Sequence, residues 1–169
     1  MTSLIRYNLD PFAQHTDAQL AEALEVAQLT EVIALREGGL MSSVGEAGAN
    51  FSVGQRQLIC LARAMLRYSK IVVLDEATAS IDNETDAILQ TAIRRVFADA
   101  TVLTIAHRLH TVMDSTQIML FDKGELKEFD APNTLLLDGS SLFSKLVDDT
   151  GSASAHLRTL AAEAHAARR

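Results

Sequence analysis

Three places in this 169-residue sequence set reactive side chains where the surrounding pattern gives them something to do. Asp75 and Glu76 end the apolar run Ile71-Val72-Val73-Leu74. A carboxylate pair at the mouth of a buried strand is tolerable when a cation or substrate compensates it, and it suits holding Mg²⁺ and orienting a water. A solvated acidic turn would carry the same residues. Ser52 and Gly54 stand immediately ahead of a strong helical stretch, Arg56 to Leu66. Free backbone N–H groups and the positive end of the helix dipole favour an anion there, and a glycine lets it approach the backbone. An ordinary serine cap reads the same way. His107 lies just past a second apolar run, Val102–Ile105. A neutral imidazole at that position can hydrogen-bond a phosphate oxygen or a water and change protonation easily. His15, His110, His156 and His165 have no such setting, and no role is assigned to them.

The elements that must position these groups follow from periodicity. Ile71–Leu74 shows no polar alternation, which predicts a strand buried on both faces, as in a parallel sheet. In open α/β sheets ligands bind outside the carboxyl ends of such strands, where Asp75 and Glu76 sit. A helix with Ile88, Leu89, Ala92, Ile93, Val96 and Phe97 on its buried side, capped by Asp82 or Asn83, connects this strand to Val102–Ile105. Together they form a βαβ unit. Leu58, Leu61, Ala62 and Met65 make the apolar stripe of the helix behind Ser52. Upstream, residues 1–15 read as an irregular lead-in with a turn at Asn8–Pro11. Asp17 caps a helix carrying Leu20, Leu24 and Ala27. Glu37 to Asn50 is too rich in Gly, Ser and Ala for a regular element and long for a plain connection, so it is a candidate functional loop. Downstream, Gln117–Phe121 and Leu126–Phe129 are strands joined by the turn Asp122-Lys123-Gly124-Glu125. Helices follow from Asp130–Asn133 to Leu137 and over Ser141–Asp148. Beyond Thr150 an alanine-rich stretch reads as a loosely docked or solvated helical tail.

Totals narrow the classes. Fifteen basic against 22 acidic residues leave a net charge of −7, which argues against a nucleic-acid binder built on a basic surface. A single cysteine, Cys60, allows no internal disulfide and suits a reducing compartment. No apolar run approaches the ~20 residues needed to cross a bilayer, and no signal-peptide core opens the sequence. Direct membrane insertion is not expected, so any membrane link comes through a partner.

The order FSVGQRQ, IVVLDEATASID, TIAHRL resembles the nucleotide-binding domains of ABC transporters. Ser52, Val53, Gly54 and Gln55 match the signature motif. Asp75 and Glu76 match Walker B with its catalytic glutamate, Asp82 the D-loop aspartate, and His107 the switch histidine. Val53, with the NLDPF lead-in, is similar to the second nucleotide-binding domain of subfamily C, the multidrug-resistance-associated type. The resemblance implies an α/β, partial P-loop NTPase fold with a mostly parallel sheet and flanking helices, lacking the N-terminal strands and phosphate loop. It implies domain limits as well. Residues 1–149 are the C-terminal portion of such a domain, with the signature and helical part at about 12–66 and the part from Walker B to the switch histidine at about 67–149. Residues 150–169 are a tail.

It also implies ATP and Mg²⁺ in a completed site. Asp75 holds the metal, Glu76 orients or deprotonates the attacking water, and His107 contacts the γ-phosphate. Ser52 to Gln55 bind the ATP of an opposite domain, and Asp82 is a further nucleotide-binding residue. The implied partners are a second nucleotide-binding domain, head to tail, and transmembrane domains, at the cytoplasmic face of a membrane. No G-x-x-x-x-G-K-S/T loop occurs in the sequence, and that loop supplies the amides and lysine that hold the β- and γ-phosphates. The family's ATP hydrolysis is therefore not expected of this chain alone. Family members usually read Glu-Gly-Gly-Glu-Asn before the signature, and Glu46-Ala47-Gly48-Ala49-Asn50 here implies a stiffer, less charged approach.

Three readings follow. The chain is part of an ATP-driven exporter, or a truncated, non-catalytic fragment that binds or regulates a partner domain, or part of a soluble ABC protein of DNA repair or translation. The acidic balance and the NLDPF lead-in disfavour the third. Removing the phosphate-loop strand would bare apolar sheet, so the chain alone is expected to be marginal or prone to associate.

Overall fold

The computed structural model describes residues 4–75, 83–106 and 108–168. Its elements are α/β, and they group into two units, 1–105 and 106–169.

In the first unit, α1 (Ile5–Leu9) replaces the expected irregular lead-in. Ile5 and Leu9, four apart on one helical face, are both buried, and that burial orders a segment whose composition reads as loop. Asp10 closes it, accepting the Gln14 and His15 N–H groups at 3.1 and 2.8 Å. Burial works against the charge of Asp10. Those two amides and the His15 ring outweigh it and hold the carboxyl below its ordinary pKa. The His15 ring also lies 2.8 Å, through Nε2, from the carbonyl of Leu66. It therefore serves one of the carbonyls left open at the end of the helix that finishes at Leu66.

The cap of α2 (Asp17–Val26) is Thr16, not Asp17. Thr16 and Gln19 form a reciprocal capping box, which satisfies two backbone donors where Asp17 at that position would satisfy one. Leu20, Leu24 and Ala27 are buried as expected. After α3 (Thr30–Ala34), the loop from Glu37 to Asn50 contains two single 3₁₀ turns, at Gly39–Met41 and Glu46–Gly48, and an isolated antiparallel bridge from Ser43 to Leu4. Then comes α4 (Val53–Leu66), burying Leu58, Leu61, Ala62 and Leu66 and leaving Cys60 exposed.

β1 (Ile71–Asp75), α5 (Asn83–Val96) and β2 (Thr101–Ile105) form the expected βαβ unit, with β1 and β2 parallel and in register from Ile71↔Thr101 to Asp75↔Ile105. Leu89, Ala92, Ile93 and Phe97 join the core; of the two expected caps, Asn83 is the first residue of α5 itself and Asp82 lies outside the described residues. The expectation of burial on both faces is not met. Val72 is buried, but Ile71 and Val73 are 66% and 61% exposed, and Leu103 and Ile105 on the same face of β2 are 41% and 56% exposed. The sheet has two strands, with the core on one side and no second layer among the described residues.

The second unit is built on the hairpin β3 (Ile118–Asp122) and β4 (Glu125–Asp130). Lys123 and Gly124 turn it with φ of 51° and 79°, the left-handed pair a two-residue hairpin requires. α6 (Pro132–Leu137) begins with proline at its first position, where no N–H is needed. α7 (Leu142–Asp148) is capped by Ser141, and Glu128 on β4 reinforces that end. Its carboxylate accepts the Leu142 and Phe143 N–H groups at 2.6 and 3.0 Å and the Ser141 hydroxyl at 3.0 Å.

The alanine-rich stretch is α8 (Ser154–Ala166), and it is docked rather than loose. Leu157 and Ala161 are buried with Phe143 and Val147. Arg158 ties it to α6 and α7, donating to Leu136 O at 2.6 Å, Ser144 Oγ at 2.8 Å and Asp148 Oδ1 at 2.7 Å. The mostly alanine composition hides this, because Leu157, Leu160 and Ala161 pack into the cluster while Arg158 and Arg168 bond to acceptors elsewhere in the unit. No helix among the described residues is long and apolar enough to cross a membrane.

Candidate functional site

Ser52 is the N-cap of α4, with φ −63° and ψ 164°. Its Oγ accepts the Gln55 N–H at 3.1 Å, and Gln55 Oε1 accepts the Ser52 N–H at 3.1 Å. This reciprocal cap uses two first-turn amides and leaves those of Val53 and Gly54, which have no acceptor within the helix. The Ser52 hydroxyl proton also remains to be donated, since only the oxygen's acceptor side is engaged. Ser52 and Val53 are exposed, Gln55 is half-buried and Gly54 is buried. The first turn of this 14-residue helix, with spare donors, has the chemistry to receive an anion.

The approach to this cap is cross-linked. Asn50 Oδ1 accepts the Gly45 N–H and its Nδ2 donates to Ser43 O, both at 2.9 Å. Arg56 reaches back from α4, donating from Nη1 to Phe51 O at 3.0 Å and Gly48 O at 3.3 Å. The chain passes so close that a Cβ on Gly48 would lie 2.9 Å from Arg56 Cδ, and Gly48 has φ +73°. Residue types in the loop suggest none of this in sequence. Arg56, four residues beyond the cap serine, was the one available signal.

Asp75 ends β1 and is exposed. The parallel register sets the carboxyl ends of β1 and β2 side by side, Asp75 opposite Ile105. Glu76 and His107 follow those two ends in sequence, and with Asp82 they lie outside the described residues. A single exposed carboxylate at a strand end fits Mg²⁺, which takes one or two protein carboxylates and completes its shell with phosphate oxygens and water. The donors at Ser52 and Val53 fit phosphate. Ser52 to Gln55 and Asp75 lie in the same unit.

The family model described as ABC transporter matches residues 2–79. Over 154 residues the chain is 53% identical to human ATP-binding cassette sub-family C member 4, covering 91% of this chain and 12% of that protein. It is 50% identical over 152 residues to multidrug resistance protein mrp-7 of Caenorhabditis elegans, covering 90% of this chain and 10% of that protein. The chain belongs to the ABC transporter family. Metal resistance protein YCF1 of Saccharomyces cerevisiae adds 53% identity over 148 residues, 87% of this chain and 10% of that protein. This ABC chain thus spans about a tenth of the length of these relatives, which by name are an ATP-binding cassette sub-family C member, a multidrug resistance protein and a metal resistance protein. The α/β arrangement, with its βαβ unit, is the partial P-loop NTPase fold expected of such a family. ATP and Mg²⁺ are the ligands the family uses.

Proposed function

We propose that this chain is the signature-bearing portion of an ATP-binding cassette in a C-family transporter, and that it acts on two nucleotides. Its Ser52–Gln55 segment faces ATP held by a second nucleotide-binding domain. Asp75, Glu76 and His107 serve the chain's own site once a phosphate loop completes it. In that site Asp75 holds Mg²⁺, Glu76 orients the water and His107 contacts the terminal phosphate. Asp82 faces the domain opposite. Closure of the two domains is then coupled to the membrane-spanning partners, at the cytoplasmic face. The observation that carries this reading is the cap of α4. The Ser52 hydroxyl and the Val53 amide keep spare donors at an exposed helix start, as suits a segment that meets another domain's phosphates.

The test is ATP-dependent association of the chain with an intact family cassette that has its own phosphate loop and a Walker B Glu→Gln substitution to retain ATP. Sedimentation should show a complex only with Mg-ATP. Ser52→Glu should abolish it, because a carboxylate at the cap repels phosphate and removes the hydroxyl donor. An S52E chain that still associates would falsify the reading. A second reading is a non-catalytic fragment that regulates a partner domain. Immunoblotting source cells with an antibody to residues 150–169 separates the two. A membrane-bound band far above 18.3 kDa supports the transporter, and a soluble band at that mass supports the fragment.

A further inference from the structure

The carbonyls just ahead of Ser52 are held by two guanidinium groups of different origin. Arg56 belongs to α4 itself and moves with the helix it steadies. Arg36 comes from the far end of the 37–50 loop, shortly after α3. Its Nη2 donates to Asn50 O at 2.6 Å, and its guanidinium carbon lies 3.8 Å from the centroid of the Phe51 ring. Arg36 thereby touches both residues that lead into the cap, one through its backbone and the other through its side chain. Phe51 is buried in the core of the unit, so the ring gives the guanidinium a fixed platform. Arg36 Nε is buried with no partner among the described residues. That unmet donor is a cost which the stacking and the carbonyl contact must outweigh.

The direction in which the chain enters α4 decides where the Ser52 hydroxyl and the Val53 amide aim. Of the two arginines, only Arg36 sets that direction from outside the helix. A planar guanidinium can lie flat on a ring while donating in its own plane, which a lysine ammonium cannot do. We infer that Arg36 is a positioning residue for the signature segment, fixing how Ser52–Gln55 meets nucleotide by stacking on Phe51 and holding the Asn50 carbonyl. The inference rests on the nucleotide-facing reading of that segment given above.

Residue-resolved amide hydrogen exchange on the full 169-residue chain, with Arg36→Leu and Arg36→Lys, tests it. The Ser52 and Gln55 amides, protected by their reciprocal cap, should exchange about tenfold faster in both variants, the size set by one lost hydrogen bond and one lost stack. Amides of α5 and β2 should keep their rates. ATP-dependent association with the intact cassette should weaken by a similar factor, and lysine should not rescue it. Unchanged exchange at Ser52 and Gln55 overturns the inference. So does a uniform rise across the whole unit, or faster exchange with undiminished association, because each leaves Arg36 only a general structural role. If the unsubstituted chain never associates, the nucleotide-facing reading fails and takes the functional half of the inference with it. The exchange rates then still decide whether Arg36 orders the cap.

Discussion

Ala47 and Gly48 are adjacent residues with left-handed backbone, at φ 51° and 73°. An alanine pays about 1 kcal/mol for that geometry and a glycine almost nothing. Ala47→Gly should therefore stabilise the first unit by up to about 1 kcal/mol, less the extra freedom glycine gains in the unfolded chain. Gly48→Ala should do the reverse by about 1–3 kcal/mol, since it adds backbone strain and drives Arg56 off two carbonyls. Thermal melts of the two variants moving in the same direction would refute this account of the loop. The departure from Glu-Gly-Gly-Glu-Asn was visible in sequence as a loss of glycine. That the loss falls on a left-handed residue was not, because φ is set by contacts of Asn50 and Arg56 that no local pattern announces. At the cap the opposite holds. Ser52 and Gln55 three residues apart, before an apolar periodicity, spell their own reciprocal bonds.

Between elements, the junction of β4 with α7 depends on ionisation. Burial disfavours the charge on Glu128, but the Phe143 and Leu142 amides and the Ser141 hydroxyl overcome it, so its pKa lies below the ordinary 4.5. A carboxyl with a depressed folded-state pKa adds stability above its unfolded pKa and loses it as pH falls through the folded one. The second unit should thus be acid-labile below about pH 4.5. Glu128→Gln should be less stable at neutral pH and lose less across the carboxylate range. Parallel pH profiles for the two would contradict this. Strands, helices and the hairpin turn were legible because each carries its own period or turn residues. The α1 helix was not, since two apolar residues four apart in a five-residue helix need the core to declare them. Nor was the docking of α8, where Arg158 recruits carbonyl and side-chain acceptors from two other helices.

At the level of the whole chain, the β1–β2 sheet presents Ile71, Val73, Leu103 and Ile105 on one uncovered face. Sheets of parallel strands are ordinarily covered on both sides, and an apolar face of this kind favours association. Light scattering on the isolated chain should show mass rising with concentration. Val73→Thr combined with Ile105→Thr should reduce that rise, because threonine keeps strand preference while adding a hydroxyl. A strictly monomeric chain with a sharp, cooperative melt would count against this. The sequence reading of that strand as buried on both faces came from its unbroken apolar run. The run is consistent with a strand made to be covered, and the finding is that half of it is bare here.

The placement of Cys60 has a practical consequence for spectroscopy. It is the one sulfhydryl in the sequence, exposed on the helix that Ser52 caps. A maleimide dye would attach at a single known point, two turns from the signature, without any engineered cysteine. Its emission or anisotropy would then report directly on whether that helix meets another protein when nucleotide is added.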